Sequence, residues 1–227
     1  MARPRLTLVE ALEGIVEPAG KTVIDVGCGD GTLVRHFARL GARAIGIEVS
    51  AGQLERALKQ AGEGESYNVA SGERLPFADA SAHVVLYMKS FHHLPVAAMR
   101  PALTEAARVL APGGRLVAVE PLPEGTFFEL TRLADDETEV RAAAYAALKS
   151  PPPALIPERE FFYDSAVRVP NVERVLEMMA AVEPARRQRV AEAEPEIRRS
   201  YEALVQEDAE GPFFIAPMRC NIFVRGN

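Results

Sequence analysis

Residues 22–32 read Thr-Val-Ile-Asp-Val-Gly-Cys-Gly-Asp-Gly-Thr. A β-branched run carries one carboxylate, Asp25, and gives way to glycines at alternate positions, Gly27, Gly29 and Gly31. A helix-like apolar stretch then begins. A strand that turns through glycines into a helix lets backbone approach a ligand where a Cβ would collide. It also aims unpaired helix N–H groups at that ligand. The chemistry this implies is the cradling of a nucleotide-like molecule. A second carboxylate, Glu48, closes the next apolar run 21 residues after Gly27. At the end of a strand such a group can accept from ribose hydroxyls. Three groups could move protons: His92, His93 and Glu120.

The spacing narrows the ligand. A dinucleotide loop reads G-x-G-x-x-G/A. Counted from Gly27, its third small position falls on Thr32, and the glycine stands at Gly31 instead. The full phosphate-binding pattern G-x-x-x-x-G-K-S/T is absent: Gly20-Lys21-Thr22 has Ile15 where the first glycine would stand. Cys28 and Cys220 have no partner at zinc spacing, so no metal site is expected.

The elements that would position these groups alternate. Leu6–Val16 has helical periodicity. Thr22–Val26 reads as a strand buried on both faces, and Thr32–Leu40 as a helix stopped by Gly41. Ala42–Ile47 is a strand ending at Glu48. Ser50 suits an N-cap for a helix over Ala51–Gln60. Strands are predicted at Tyr67–Ala70, His83–Met88 and Leu116–Val119. A helix with apolar Val96, Met99, Leu103, Ala107 and Leu110 on one stripe precedes the last of these. Pro112-Gly113-Gly114 reads as a turn. Such alternation predicts an α/β sandwich with a mostly parallel sheet.

Beyond Glu120 the rhythm changes. Glu124–Lys149 is helical in character and ends at three prolines. Phe161–Val169 reads as a strand. Val172, Val175, Leu176, Met179 and Val182 mark an amphipathic helix, interrupted by Pro184. A charged helix follows to about Asp208, and Phe213–Val224 forms a last strand or strand pair.

Composition sets bounds. The 227 residues carry a formal charge of −6. That suits one domain able to bury about 70% of its unfolded surface without staples. The acidic balance argues against a nucleic-acid partner. Arg186-Arg187-Gln188-Arg189 sits among glutamates and reads as a solvated helix face. Asp135-Asp136-Glu137 reads as a solvated helix turn. Two lone cysteines, no signal peptide and no membrane-spanning run predict a cytoplasmic protein, monomeric or homodimeric.

Four blocks together resemble the class I S-adenosylmethionine-dependent methyltransferases, in particular the subgroup with ubiquinone/menaquinone C-methyltransferases. They are Val23–Gly31, Gly46-Ile47-Glu48, Gly72-Glu73-Arg74-Leu75-Pro76-Phe77 and Arg108–Leu116. The resemblance implies a Rossmann-like, seven-stranded, mostly parallel sheet with helices on both faces, an antiparallel last strand and a helical insertion after the fifth strand. It implies one domain over 1–227. Within it lie a cofactor core at 20–121, an insertion at 122–158 that could cap substrate, and a completing segment at 159–227.

The resemblance further implies S-adenosyl-L-methionine as cofactor and a small-molecule methyl acceptor, with neither nucleic acid nor membrane as partner. Asp25, Gly27, Cys28, Gly29 and Gly31 would form the loop against the methionyl part, although Asp25 also suits a cap for the loop's own N–H groups. Glu48 would take the ribose, with Val49 and Gln53 at its edge. Ser71, Gly72 and Glu73 would lie beside the adenine. Met88 and Lys89, with Ser90, would meet the methyl end. Many relatives carry Phe-Asp where this chain has Ala82-His83, a change expected to touch stability. His92 and His93 could equally be a packed or capping pair, and Glu120 a loop carboxylate. Phe127, Phe128, Leu130, Leu133, Tyr145, Phe161, Phe162 and Tyr163 could line an acceptor pocket or be plain core.

Overall fold

A computed structural model describes residues 2–181 and 184–227; Val182, expected on a helix stripe, lies outside them. The first half alternates as predicted. It runs α1 (Leu8–Leu12), β1 (Thr22–Val26), α2 (Thr32–Arg39), β2 (Arg43–Glu48), α3 (Ala51–Leu58), β3 (Glu65–Val69), β4 (Ala82–Met88) and α4 (Val96–Val109). Then follow β5 (Leu110–Pro121), α5 (Thr126–Thr131), α6 (Thr138–Lys149), β6 (Leu155–Arg168), α7 (Val172–Ala180), α8 (Pro184–Leu204), β7 (Gln206–Asp208) and β8 (Gly211–Arg225). The sheet order is β3-β2-β1-β4-β5-β8-β6, with β7 paired to β8. It is mostly parallel with antiparallel C-terminal strands, the Rossmann-like α/β class expected.

The chain divides into two compact units. The larger comprises Leu12–Glu120, Ala142–Phe161 and Arg219–Asn227. Its core joins Ile24 and Val26 of β1, Ile45 and Ile47 of β2, Val85 and Tyr87 of β4, and Leu116 and Ala118 of β5 to the α4 stripe of Met99, Leu103 and Ala107. The β-branched runs are buried because parallel strands are covered on both faces. Parallel register sets Asp25 opposite Gly46, Glu48 opposite Val69 and Met88 opposite Val119. The carboxyl ends of five strands, β1 to β5, therefore share one edge, where α/β sheets place their ligand loops.

The smaller unit comprises Met1–Ala11, Pro121–Arg141 and Phe162–Met218. Its core gathers Leu130, Val169, Val175, Met179, Ile197 and Phe214, with Phe127 and Leu133 packed on it. Here Arg187, Gln188, Arg189 and Asp136 are exposed, as expected of solvated segments, while Arg186, Asp135 and Glu137 are half-buried. Arg186 pairs with Asp135 and lies 3.6 Å from Glu137, and Arg189 lies 3.7 Å from Asp135. The Arg186 side chain is only 15% exposed. The half-buried members of the acidic turn and the basic helix face thus pair with one another, while the rest face water.

Several boundaries differ from expectation. The leading helix is shorter, and Gly14 follows it at φ 72°. Pro112-Gly113-Gly114 lies inside β5, where the ladder jumps from Ala82 opposite Leu110 to Val84 opposite Arg115. The extra residues are absorbed as a strand irregularity. Residues 124–149 form two helices, α5 and α6, instead of one. Pro184 opens α8, where its missing N–H costs nothing. The charged helix stops at Leu204, and Gln206–Asp208 pairs antiparallel with β8. His83 Nδ1 accepts the Thr22 N–H at 3.0 Å.

Candidate functional site

The glycine loop is held from below by the neighbouring strand. The N–H groups of Gly27 and Cys28 both donate to the Ile47 carbonyl, at 2.8 and 3.0 Å. Gly27 sits at φ 76°, and a Cβ there would stand 2.5 Å from the Ser90 Cβ. Gly31, at φ 78°, would collide with the Tyr67 ring if it bore a side chain. Both positions therefore require glycine for conformation and for space. The Ser90 hydroxyl donates to the Val26 carbonyl at 2.6 Å and locks this approach.

The end of the loop is braced by polar groups. Asp30 Oδ1 accepts from the Thr32 N–H at 3.1 Å and the Thr32 hydroxyl at 2.8 Å. Arg35 donates to the Asp30 carbonyl at 2.7 Å and to the Thr32 hydroxyl at 3.1 Å. Neither Tyr67 nor Arg35 carries a local motif that marks it as part of the loop. They are found only once β3 and α2 are folded against it.

Glu48 does more than end a strand. Oε2 accepts from Gly29 N–H at 2.9 Å, and Oε1 accepts from Val49 and Ser50 N–H, both at 2.9 Å. An ionised carboxylate offers about four acceptor positions, so these three bonds leave capacity for an outside donor. The bonds also tie the β2 end to the middle of the glycine loop. Val49 is 67% exposed, and Gln53 lies half-buried in the first turn of α3, where its N–H meets the Ser50 cap.

Asp25 is the opposite case. It is 3% exposed, and its Oδ1 has no hydrogen-bond partner among the described residues. Burial, aided by the charge of Glu48, pushes its carboxyl up to about 7. A buried acceptor without a donor is costly unless a ligand completes it. Cys28 lies beneath the loop, and burial raises its thiol far above the ordinary range. It is packing, not a nucleophile.

At the end of β4, Met88 is 9% exposed and Lys89 adopts φ 57°. The Lys89 N–H donates to Val119 at 2.7 Å, which holds that left-handed turn. A short 3-10 turn, Phe91–His93, follows. Glu120 closes on it: Oε1 accepts from Ser90 and Phe91 N–H at 3.1 and 3.0 Å, and Oε2 from His92 N–H at 3.3 Å and from the His92 ring. Both side chains are buried. Glu120 therefore positions the turn and the His92 imidazole.

The remaining candidates scatter as their chemistry allows. Ser71 is half-buried, Gly72 buried and Glu73 exposed in the loop after β3. That segment is clamped by Arg108, which donates to the Phe77 carbonyl at 2.8 Å and the Leu75 carbonyl at 3.1 Å. Glu105 completes the clamp by accepting from Leu75 N–H at 2.8 Å. Two of the four family-like blocks are thus bolted together. In the smaller unit Phe128, Leu130 and Tyr163 are buried and Phe162 is 38% exposed. In the larger unit Tyr145 lies under Arg219, and Phe161 lies under Arg159 at 4.7 Å.

Residues 24–118 match the family described as a methyltransferase domain. Similar curated relatives include the 27-O-demethylrifamycin SV methyltransferase of Amycolatopsis mediterranei, 35% identical over 48% of this chain and 42% of that protein. The demethylmenaquinone methyltransferase of Tropheryma whipplei is 38% identical over 45% of this chain and 42% of its own length. The matched segment thus spans about two fifths of these relatives. Among solved structures, the geranyl diphosphate C-methyltransferase of Streptomyces coelicolor superposes with a TM-score of 0.57 at 17% identity, covering 95% of this chain and 77% of that one. The [4+2]-cyclase SpnF superposes at 0.58 with 18% identity, covering 92% and 76%. These likenesses show the fold alone, and a fold shared with a cyclase does not by itself name a reaction.

Proposed function

We propose that the protein is an S-adenosylmethionine-dependent methyltransferase acting on an oxygen or carbon of a small-molecule acceptor. The observation that carries this reading is Asp25, a buried carboxylate with one oxygen lacking a donor, set beneath a glycine loop. An amino-acid ammonium is the donor it lacks. Glu48 keeps acceptor capacity beyond its three backbone bonds, enough for a ribose hydroxyl. The residues thus fit the cofactor: Asp25 takes the ammonium, while Gly27, Cys28, Gly29 and Gly31 bring backbone against the methionyl part. Glu48, Val49 and Gln53 surround the ribose, Ser71, Gly72 and Glu73 flank the adenine, and Met88 and Lys89 meet the methyl end.

When bound, the cofactor supplies an activated methyl group and its own leaving group. The protein's work is then to align and dehydrate the reactants. Glu120 holds His92 so that Nδ1 carries the ring proton, which makes Nε2 the basic atom. Where an acceptor must lose a proton, His92 is the base, His93 lies beside it with ring centroids 4.1 Å apart, and Glu120 orients the pair. The relatives' printed substrates support a small-molecule acceptor. The free, buried thiols Cys28 and Cys220 support a reducing, cytoplasmic setting. No described helix is long and apolar enough to cross a membrane.

Titration calorimetry should give saturable S-adenosylmethionine binding and none for NAD. Methyl transfer from labelled cofactor to a panel of phenols, quinones and amines should then name the acceptor class. NAD binding without S-adenosylmethionine binding would overturn the reading; cofactor binding with no turnover on any acceptor would point to a sensor instead.

A further inference from the structure

Arg219, in β8 within the larger unit, is only 3% exposed. Its guanidinium carbon stands 3.8 Å from the centre of the Tyr145 ring. Its single hydrogen bond among the described residues is Nε to Asn221 Oδ1, at 2.8 Å. It makes no ion pair with a described carboxylate. The two acids that act on it electrostatically are Glu120 and Glu160, and both are committed elsewhere. Glu120 holds the Phe91–His93 turn. Glu160 accepts from Tyr145 Oη at 3.3 Å and from Asn221 Nδ2 at 2.6 Å.

The arrangement is preorganised. Glu160 fixes Tyr145 and Asn221, Tyr145 supports one face of the guanidinium, and Asn221 fixes its Nε. The outer fork, with both terminal nitrogens, has no acceptor among the described residues. A buried cation is expensive unless paired, and a planar fork of N–H donors matches a carboxylate at two oxygens. Burial lowers the Arg219 pKa and the neighbouring acids offset part of that.

We propose that Arg219 is the anion-binding residue of the acceptor site, receiving a carboxylate group of the molecule to be methylated. This rests on the methyltransferase reading above and adds a substrate class to it: acceptors that bear a carboxylate. Tyr145 and Asn221 are positioning residues for the guanidinium.

Benzoate and its neutral isostere benzamide test this, titrated into the full chain without and with S-adenosylhomocysteine. Benzoate should bind saturably and at least tenfold tighter than benzamide. Arg219→Gln should erase that preference while leaving S-adenosylhomocysteine affinity within twofold. Arg219→Lys, which keeps the charge and loses the fork, should retain part of the preference and guards against a glutamine variant that fails to fold. Absence of saturable benzoate binding, equal binding of both probes, or a preference that survives in Arg219→Gln would overturn the proposal. Failure of S-adenosylhomocysteine to bind would instead overturn the cofactor assignment, and the titration without it reads the anion site separately.

Discussion

Glu120 and His92 are joined twice: one carboxylate oxygen accepts both the His92 backbone N–H and its ring. The other oxygen takes the N–H groups of Ser90 and Phe91. Removing the acid therefore strands three N–H groups, two of them on buried residues, beside a buried imidazole. Glu120→Ala should lower unfolding free energy by about 3 kcal/mol or more, since each buried orphan costs about 1–3 kcal/mol. Urea unfolding checks this, and a loss under about 1 kcal/mol would show that water replaces the carboxylate. His92→Ala keeps the backbone bonds and should cost less, so a large loss of turnover in that variant would mark the imidazole as chemical.

Asp25 should make both stability and cofactor affinity depend on pH. Its folded pKa, about 7, lies above the ordinary carboxylate value because burial and then Glu48 disfavour the charge. A group raised in this way supports the fold fully below its unfolded value, and that support is lost as pH rises toward 7. The ligand-free protein should thus lose stability between about pH 4 and pH 7, and Asp25→Asn should flatten that slope. A cationic ammonium favours the ionised acid, so cofactor binding should tighten as pH rises to 7 and release a proton below it. Calorimetry in buffers of different ionisation enthalpy reads that proton directly. Affinity independent of pH between 5.5 and 8 would remove Asp25 from the ammonium site.

The residues proposed to hold the cofactor could be singled out in sequence because their signals are local. Glycines at alternate positions after a buried strand, and an acid at the next strand end, are set by backbone conformation within a few residues. The groups that brace them are not local. Tyr67 reaches Gly31 only through β3 pairing with β2, and Arg219 lies nearly 100 residues beyond Glu120. Pro112-Gly113-Gly114 misled in the other direction. It is a good turn signal, yet pairing between β4 and β5 on both sides carried the strand through it. The segment after Glu120 reads poorly because it feeds two compact units, so adjacent residues such as Phe161 and Phe162 belong to different ones.

Gly27→Ala should damage the site for two separable reasons. The backbone is left-handed there, which costs about 1–2 kcal/mol for an L-residue, and the new methyl meets Ser90 at 2.5 Å. Adding Ser90→Gly removes the collision together with the Ser90–Val26 hydrogen bond, whose separate cost the Ser90→Gly single variant reads. The double variant should recover part of the lost cofactor affinity, leaving a residue from the strained φ. Full recovery would mean that strain is negligible; no recovery would mean that Ser90 moves aside freely in the single variant.

Glu48 holds the loop and is proposed to take the ribose, so its substitutions should separate the two roles. Glu48→Ala frees the N–H groups of Gly29, Val49 and Ser50. It should weaken cofactor binding by about 1–3 kcal/mol through lost charge-assisted hydrogen bonds. If Glu48 also contacts the ribose, the variant should lose more affinity for S-adenosylhomocysteine than for an analogue lacking both ribose hydroxyls. Equal losses for the two ligands would leave Glu48 as a loop clamp alone. Unchanged affinity for both would refute any part in binding, whatever the effect on stability. Glu48→Gln sharpens the contrast: its amide oxygen can still accept from part of the loop, while its NH2 turns one acceptor into a donor facing Gly29 or Val49. It should therefore fall between wild type and Glu48→Ala in melting temperature, and lie close to Glu48→Ala in ribose discrimination.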